Sequence, residues 1–494
     1  MRVLYIDIDT LRPDHLGCYG YHRNTSPNID RLASEGVRFD NCYVSDSPCL
    51  PSRAALYSGK CGIRNGAINH GGEAADLYEN PDEREFKAQC DNFTFQLGLA
   101  GLYPVTVSPF GQRHSSFWFY NGFREMYNTG KTGDEPADEI TAVALDWLDR
   151  KGTQDDWYLH VNVWDPHTPY SRLPDELGNP FENDPPPAWM TEEIRRKTWD
   201  NYGPGSAQEP GGGYFGNKSP EDLGAPSQVD SMASYKGWVD GYDTGIYYAD
   251  LHVGKILDKL EELGILNDTL IVLSSDHGEN MGELSVYGDH QTADHITNRV
   301  PLIIRHPEGL GGKGRVDRSL YYQFDFAATL LDLFGGEVPE SWDAKSFLED
   351  FRNEREGGRD YLVVSNCAWS CQRSVRWSDY LLVRTYHSGF KNYPDKMLFN
   401  VEEDPHELND LAGDRPDLVA EGMEKLEEWA TEEMSRTPRR EDPLWIVMRE
   451  GGPFHARYTS SDFEGYKERL RQTGRSKYAD ELDERRQQLK TWPH

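Results

Sequence analysis

Carboxylate and imidazole side chains follow short apolar runs at two places in the chain. The β-branched run Val3–Ile8 is followed by Asp9, and the run Thr269–Ser274 is followed by Asp276 and His277. Runs of this kind predict buried strands, and open α/β sheets bind ligands beyond the carboxyl ends of their strands. Two acids and an imidazole in that position can hold a divalent cation, or each can do no more than complete a turn.

A cysteine lies where the sequence predicts the start of a helix. Pro51 suits the first turn of the segment that ends at Gly59, which places Cys49 at the helix N-terminus. The helix dipole favours an anion there, and Arg53 lies one turn further on. Most cysteines in such positions are ordinary buried residues, so the acidic strand ends are what favour a chemical role for this one.

Short buried strands alternate with amphipathic helices around these residues. Further strands are predicted at Trp157–Trp164 and Val300–Ile304, and helices at 26–36 and 246–263. This alternation predicts an α/β fold, with a large, mostly parallel sheet that helices cover on both faces.

Changes in composition divide the chain into two predicted domains. Residues 1–350 form the catalytic α/β domain, with a surface insertion at 180–224 that is rich in proline and glycine. Residues 351–494 form a smaller C-terminal α+β subdomain, with short strands near 361, 373 and 380, a helix at 417–434 and a helical tail.

Composition excludes several classes of partner. The 494 residues carry a net charge of −32, which repels the phosphates of nucleic acids and anionic membrane surfaces. No apolar run approaches the roughly 18 residues of a membrane span, and acids interrupt the N-terminal segment where a signal peptide would be apolar. The seven cysteines include no Cys-x-x-Cys pair, which argues against a disulfide framework or a structural zinc site. We therefore expect a cytoplasmic protein without nucleic-acid or membrane partners.

The segment Cys49-Leu50-Pro51-Ser52-Arg53 resembles the modification signature of the type I, formylglycine-dependent sulfatases of the alkaline phosphatase superfamily. Other segments resemble that family in the same order along the chain: Ile8–Asp14, Ser26–Asp30, Asp165–Tyr170, Ser275–Glu279, Arg299–Ile303 and Asp404–Leu411. The resemblance implies an alkaline phosphatase-like fold.

The resemblance implies hydrolysis of a sulfate ester of a small molecule or a glycan. The family's cysteine is oxidised to formylglycine by a formylglycine-generating enzyme during maturation. One divalent cation would be bound by Asp9, Asp276, His277 and the modified Cys49. Calcium is expected, and an imidazole among the ligands also allows manganese or magnesium.

The resemblance also implies the catalytic residues. The hydrated aldehyde at Cys49 would be the nucleophile, and Arg53 would hold the formylglycine oxygen. His114 would contact the nucleophile's hydroxyl, and His167 would bind sulfate or protonate the leaving oxygen. His290 lies where the family has a basic substrate-binding segment.

The chain departs from the family pattern in ways that leave two alternatives open. Thr10 replaces a second aspartate, as in the branch that contains choline sulfatases and phosphonate monoester hydrolases, and Gln112 and Asp289 replace lysines. The alternatives are a phosphodiester or phosphonate monoester hydrolase on the same scaffold, and an inactive anion-binding homologue. Three other residues are candidates for supplying the missing positive charge: Arg305, His306 and Arg373.

Overall fold

The computed structural model describes residues 1–78, 91–168, 170, 173–212, 225–437, 439–453 and 460–489. Its strands are β1 (Arg2–Ile8), β2 (Val37–Tyr43), β3 (Asp46–Ser47), β4 (Tyr103–Val107), β5 (Glu125–Tyr127), β6 (Trp157–Val163), β7 (Thr269–Ser274), β8 (Asn280–Met281), β9 (Tyr287–Asp289), β10 (Arg299–Arg305), β11 (Arg315–Tyr322), β12 (Tyr361–Asn366), β13 (Cys371–Trp377), β14 (Tyr380–His387) and β15 (Lys396–Asn400).

Short 3-10 turns and α-helices connect these strands. The helices are α1 (Pro27–Glu35), α2 (Cys49–Ser58), α3 (Gly62–Asn65), α4 (Phe93–Leu99), α5 (Phe110–Arg113), α6 (Ala137–Lys151), α7 (Glu192–Trp199), α8 (Met232–Glu262), α9 (His295–Asn298), α10 (Asp325–Leu333), α11 (Leu348–Arg352), α12 (Pro416–Arg436), α13 (Pro443–Arg449), α14 (Ser460–Gln472) and α15 (Ser476–Leu489).

The larger sheet has eight strands in the order β11-β2-β10-β7-β1-β6-β4-β5. Strands β7, β1, β6, β4 and β5 run parallel to one another, whereas β10 lies antiparallel between β7 and β2. This arrangement confirms the predicted α/β fold with a large, mostly parallel sheet.

The two faces of this sheet carry separate apolar layers. In β1, Leu4 and Ile6 pack in one layer with residues of α6 and α8, while Val3 and Tyr5 pack in the other with residues of α2 and α10. Successive side chains of a strand point to opposite faces, so Asp7 lies on the face that α2 covers. Helices therefore cover both faces, and α2 lies over the acidic end of β1.

The smaller sheet has five strands in the order β15-β14-β13-β12-β3. Four of them lie within 361–400 and pair antiparallel, and β3 adds to the edge in parallel with β12. Strand β3 comes from the N-terminal part of the chain and directly precedes α2. The predicted boundary at residue 350 stays a prediction, but the smaller sheet takes in a strand from before it.

The predicted surface insertion at 180–224 does not lie wholly on the surface, and that part of the prediction is wrong. Residues 202–210 are buried, and Glu209, which is 2% exposed, pairs with Arg469 and Arg475 of the C-terminal helices. Proline and glycine indicate irregular backbone but not its exposure, and here α14 and α15 cover that backbone. Residues 213–224 of the insertion lie outside the described residues.

The predicted helices are present, and the helix predicted at 246–263 is longer than the pattern suggested. Helix α8 begins at Met232 because Ser231 caps it and Trp238 packs into the core. The predicted tail forms α14 and α15, and residues 490–494 of it are not described. Within the described part of the chain, no helix has the length and apolar character needed to span a membrane.

Candidate active site

The carboxyl ends of four adjacent parallel strands meet at one edge of the larger sheet. Asp9 follows β1, Asp276 and His277 follow β7, His167 follows β6, and His114 follows β4. Because these strands are neighbours in the order β7-β1-β6-β4, segments far apart in sequence converge there. The structure places five of the residues singled out from the sequence at this edge.

Cys49 is the first residue of α2 and is almost completely buried. Its Sγ lies 3.1 Å from His277 Nε2. Strand β3, which pairs with β12 of the smaller sheet, holds the chain directly before this residue. The cysteine therefore lies between the two sheets, with its side chain at the acidic edge of the larger one.

Arg53 lies one turn further along α2 and contacts three carboxylates. Its Nη2 lies 2.9 Å from Asp7 Oδ2 and 3.2 Å from Asp9 Oδ2, and its Nη1 lies 2.5 Å from Asp276 Oδ2. The side chain is 1% exposed, so water does not screen these pairs. The guanidinium is held rigidly beside the cysteine.

Four side chains present ligand atoms that lie within 4.8 Å of one another: Asp9, Cys49, Asp276 and His277. All four are buried, and Asp9 Oδ1 has no hydrogen-bond partner. A buried carboxylate oxygen without a partner is costly unless a cation binds it. Two carboxylates and an imidazole suit calcium, manganese or magnesium, so the group fits a divalent cation.

The electrostatics of the group also favour a bound cation. Burial, and then the neighbouring Asp276, raise the pKa of Asp9 well above its usual range. Burial opposes the charge of Asp276 as well, but Arg53 and then His277 act against it and the pKa of Asp276 falls to about 2. Burial lowers the pKa of His277 to about 4, so its imidazole is neutral at pH 7 and able to bind a metal.

His167 and His290 also lie close to the cysteine. Together with Cys49 they form a second group whose ligand atoms lie within 4.8 Å of one another. The ring centroid of His290 is 4.2 Å from that of His277 and 5.9 Å from that of His167. His290 Nδ1 lies 3.4 Å from Glu279 Oε2. The cysteine thus belongs to two groups of ligand atoms, one that contains carboxylates and one that contains only imidazoles beside it.

His114 lies beside the first turn of α2. Its ring centroid is 4.9 Å from that of Phe110 and 5.1 Å from that of His70. The backbone N–H of Leu50 donates to His70 Nε2 over 3.4 Å. His114 is therefore close to α2, and His70 lies between the two.

A family profile for sulfatases matches residues 2–336 of the chain. The chain belongs to the sulfatase family. A second profile, for the C-terminal part of N-sulphoglucosamine sulphohydrolases, matches residues 282–432.

Curated sulfatases and solved structures are similar over most of the chain. An N-acetylglucosamine-6-O-sulfatase of Bacteroides thetaiotaomicron is 24% identical, over 83% of this chain and 82% of its own. An arylsulfatase of Clostridium perfringens is 26% identical, over 83% and 89%. A structure solved in complex with D-glucosamine-2-N,6-O-disulfate has a TM-score of 0.68 at 20% identity, covering 88% of this chain and 99% of that one. A phosphonate monoester hydrolase of Agrobacterium radiobacter has a TM-score of 0.66 at 21% identity, covering 87% and 96%.

These matches confirm membership of the sulfatase family and of the alkaline phosphatase superfamily. This sulfatase is accordingly a sulfuric ester hydrolase.

The sulfatase has a further positively charged side chain at the site, that of Arg113, which is next to Gln112 in the sequence. The Arg113 guanidinium lies over the Trp164 ring at 4.9 Å, and Arg53 lies 5.8 Å from the same ring. The charge of Arg113 acts to lower the pKa of both Cys49 and Asp9, although burial outweighs it. Arg113 follows the glutamine that replaces the family's lysine, so the positive charge is displaced by one residue.

The three candidates for that charge were wrong. Strand β10 runs antiparallel to β7, so Arg305 and His306 at its carboxyl end lie at the opposite edge of the sheet. Arg305 pairs there with Glu35. Arg373, in the smaller sheet, pairs with Asp442.

Sequence reasoning also missed three acidic and imidazole residues at the site. Glu279 lies in the Ser275–Glu279 segment, so the motif could have identified it as a site residue. His160 Nε2 lies 3.4 Å from Asp7 Oδ2. This histidine lies inside β6, and no sequence motif there indicates a functional role. His70 lies in a glycine-rich loop, and no sequence motif there indicates a functional role either.

Proposed function

We propose that this sulfatase hydrolyses a sulfate monoester by means of formylglycine at position 49 and one divalent cation. The observation that carries the proposal is the buried group of Asp9, Cys49, Asp276 and His277, with Arg53 fixed beside it. The group combines a modifiable cysteine at a helix N-terminus with a ligand set for an oxygen-preferring cation. Formation of formylglycine requires a formylglycine-generating enzyme as a partner during maturation.

We propose a sulfated glycan as the substrate. Support comes from the similar N-acetylglucosamine-6-O-sulfatase and from the similar structure that holds a glucosamine disulfate. The profile match to N-sulphoglucosamine sulphohydrolases over residues 282–432 points to the same class of sugar. A sulfated hexosamine is therefore the first substrate to test.

The residues that would hold the cation are Asp9, Asp276 and His277, with the modified side chain at position 49. The hydrated aldehyde would supply a hydroxyl nucleophile, and the cation would act as a Lewis acid on that hydroxyl and on the sulfate oxygens. Arg53 keeps the two carboxylates in place through its hydrogen bonds and adds positive charge near the reacting oxygens.

Two imidazoles near Cys49 are our candidates for protonating the leaving group. His167 and His290 each have a ring nitrogen close to Cys49 Sγ. An alcohol leaves as a neutral molecule only when it gains a proton, and an imidazole within reach can donate it. We assign proton donation to these two histidines. His114, packed beside the first turn of α2, orients the nucleophile's helix from the other side.

A phosphonate monoester hydrolase is the second candidate. Two observations favour it: an aspartate, aspartate and histidine ligand set with Thr10 in place of another acid, and similarity to the phosphonate monoester hydrolase of Agrobacterium radiobacter. Both ester classes present tetrahedral oxyanions to the site. The match to the sulfatase family favours sulfate.

The test begins with the chemistry of position 49. The full chain is produced together with a formylglycine-generating enzyme, and the peptide containing Cys49 is examined by mass spectrometry. We expect the aldehyde or its hydrate, and we expect that Cys49→Ala has no activity above background. An unmodified thiol in a fully active protein would overturn the formylglycine mechanism.

A substrate panel then separates the two functions. Sulfate, phosphonate and phosphodiester substrates with the same leaving group are compared after removal of metal and addition of calcium, manganese or magnesium. The proposal expects the highest kcat/KM for sulfate esters, and loss of activity on metal removal. A preference for phosphonates would favour the second candidate, and no turnover with any cation would favour an inactive homologue.

A further inference from the structure

Three imidazoles around Cys49 each have a hydrogen-bonding group near Nδ1. His277 Nδ1 lies 2.8 Å from the carbonyl oxygen of Gly278, and His167 Nδ1 contacts the carbonyl oxygen of Thr168. A carbonyl oxygen only accepts, so in the neutral imidazole each of these two Nδ1 atoms carries the proton and Nε2 presents a lone pair. This is the arrangement in which proteins hold histidines that bind metals.

His290 has a carboxyl group near each ring nitrogen. Its Nδ1 lies 3.4 Å from Glu279 Oε2, and its Nε2 lies 3.7 Å from Asp289 Oδ1. A neutral imidazole keeps one ring nitrogen without a proton, and that nitrogen can bind a metal. Two of these imidazoles, those of His167 and His290, have ligand atoms within 4.8 Å of each other and of Cys49.

The donor set of this second group differs from that of the first. Thiolate and imidazole are the ligands that zinc prefers, whereas carboxylates suit calcium, manganese and magnesium. Zinc bonds of about 2.0 to 2.3 Å place ligand atoms about 3.5 Å apart, so shifts of about 1 Å close the group around an ion. His167 is partly exposed, which leaves a route of entry from solvent.

We propose that Cys49, while it is still a thiol, binds a zinc ion together with His167 and His290. The thiol proton passes to solvent as the sulfur–zinc bond forms, and nothing is oxidised or reduced. The ion is bound by the two imidazoles to which we assign protonation of the leaving group. Unconverted protein in the presence of zinc is therefore blocked, and conversion of Cys49 removes the sulfur ligand and with it the zinc site.

The proposal goes beyond the proposed function, because it concerns the chain before conversion. The experiment uses full-length protein made without a formylglycine-generating enzyme, with the thiol at Cys49 verified by mass spectrometry. Cobalt is titrated into metal-free protein, and the thiolate-to-cobalt charge-transfer band and the visible bands of tetrahedral cobalt are recorded. We expect one equivalent to bind, and zinc to displace it in a calorimetric titration.

Variants decide which group holds the ion. Cys49→Ser should lose the charge-transfer band, and His167→Asn and His290→Asn should each weaken cobalt binding at least about tenfold. Asp9→Asn, which alters only the carboxylate group, and His114→Asn, a neighbouring histidine outside both groups, should keep the band. Circular dichroism checks that each variant is folded. If His290→Asn does not fold, His167→Asn tests the proposal, because His167 is partly exposed.

Two results would overturn the proposal. One is the absence of a charge-transfer band in the thiol form of the native sequence. The other is a band that His167→Asn leaves unchanged and Asp9→Asn abolishes, because the thiol's ion would then belong to the carboxylate group. Neither result depends on turnover of a sulfate ester, so failure of this proposal is distinguishable from failure of the proposed function.

Discussion

At the scale of single residues, Arg53 is the most constrained side chain of the site. It is buried, and its guanidinium contacts Asp7, Asp9 and Asp276 at once. A forked, planar cation can serve three carboxylates simultaneously, whereas a lysine ammonium is a single point of charge. The geometry of the three carboxylates therefore depends on the arginine itself and not only on its charge.

Replacement of Arg53 by lysine is expected to impair catalysis more than folding. We expect Arg53→Lys to lower kcat about 10²- to 10³-fold, because the carboxylates lose their fixed partner. We expect the free energy of unfolding to fall by about 2 kcal/mol, because buried carboxylate oxygens lose hydrogen bonds. Steady-state kinetics and urea unfolding measure the two effects.

Arg150→Lys is the matched control for this change. Arg150 pairs with Asp146 on the surface and is 45% exposed, so the substitution should leave both quantities almost unchanged. If Arg53→Lys had the same kcat as the native chain, the contacts of Arg53 with the three carboxylates would have no part in catalysis.

The assignment of His290 as a proton donor predicts an effect that depends on the leaving group. His290→Asn should lower kcat about 10²-fold or more for sulfated sugars, whose alcohols need a proton to leave. The loss should be much smaller for an aryl sulfate that leaves as a stable phenolate. The two substrates are compared in the same preparation, with exposed His22→Asn as control. Equal losses on both substrates would argue for sulfate binding instead.

At the scale of elements, the C-terminal helices hold the buried part of the insertion in place. Arg475 of the α14–α15 connection contacts both carboxylate oxygens of Glu209, and the Tyr466 hydroxyl accepts from the backbone N–H of Gly203. The next link is a hydrogen bond from the backbone N–H of Tyr287 in β9 to the carbonyl oxygen of Gly205. The tail thus supports the strand that leads to His290.

Loss of the buried ion pair should loosen this region. We expect Arg475→Met to lower the free energy of unfolding by about 3 kcal/mol, because Glu209 stays buried with one fewer charged partner. Hydrogen exchange should increase within residues 202–210. Arg471→Met is the control, since Arg471 is 43% exposed and its nearest acid is 3.9 Å away. Equal effects of the two substitutions would contradict a special role for the buried pair.

At the scale of the whole molecule, the site exists only because the two sheets meet. Strand β3 joins the smaller sheet directly before Cys49. The side-chain amide of Asn366, at the end of β12, donates to the carbonyl oxygen of His290 and to Ser47 Oγ. The smaller sheet therefore positions both Cys49 and His290.

Lys391 gives the whole molecule a measurable pH dependence. It is 3% exposed, its Nζ donates to the carbonyl oxygens of Tyr202 and Ser285, and burial lowers its pKa to about 7. In the unfolded chain a lysine keeps its proton to about pH 10. Between pH 7 and 10 the unfolded state thus binds more protons, so the free energy of unfolding rises with pH.

A substitution isolates this contribution. The difference in free energy of unfolding between the native chain and Lys391→Met should grow by about 2 kcal/mol from pH 7 to pH 9. Urea unfolding at each pH measures it, and Lys345→Met, at an exposed lysine, should show no such growth. A constant difference for Lys391→Met would mean that the lysine stays charged in the folded protein.

The sequence by itself determined the fold class and most of the chemical groups at the site. Apolar runs that end in Asp9 and Asp276 predict strands with acids at their carboxyl ends, because a buried strand is apolar along its length and polar where it leaves the core. The turn chemistry around Pro51 likewise places Cys49 at the start of a helix. These are local signals, and each is carried by a few consecutive residues.

Only the tertiary structure decided which groups face one another. The order β7-β1-β6-β4 brings Asp276 beside Asp9, and the antiparallel course of β10 sends Arg305 to the far edge. The burial of residues 202–210 depends on α14 and α15, which come more than 200 residues later. Pairing between distant segments is a property of the packed molecule, and no short stretch of sequence carries it. For that reason the contact of Arg113 with Trp164 and the place of His70 beside His114 are visible only in the tertiary structure.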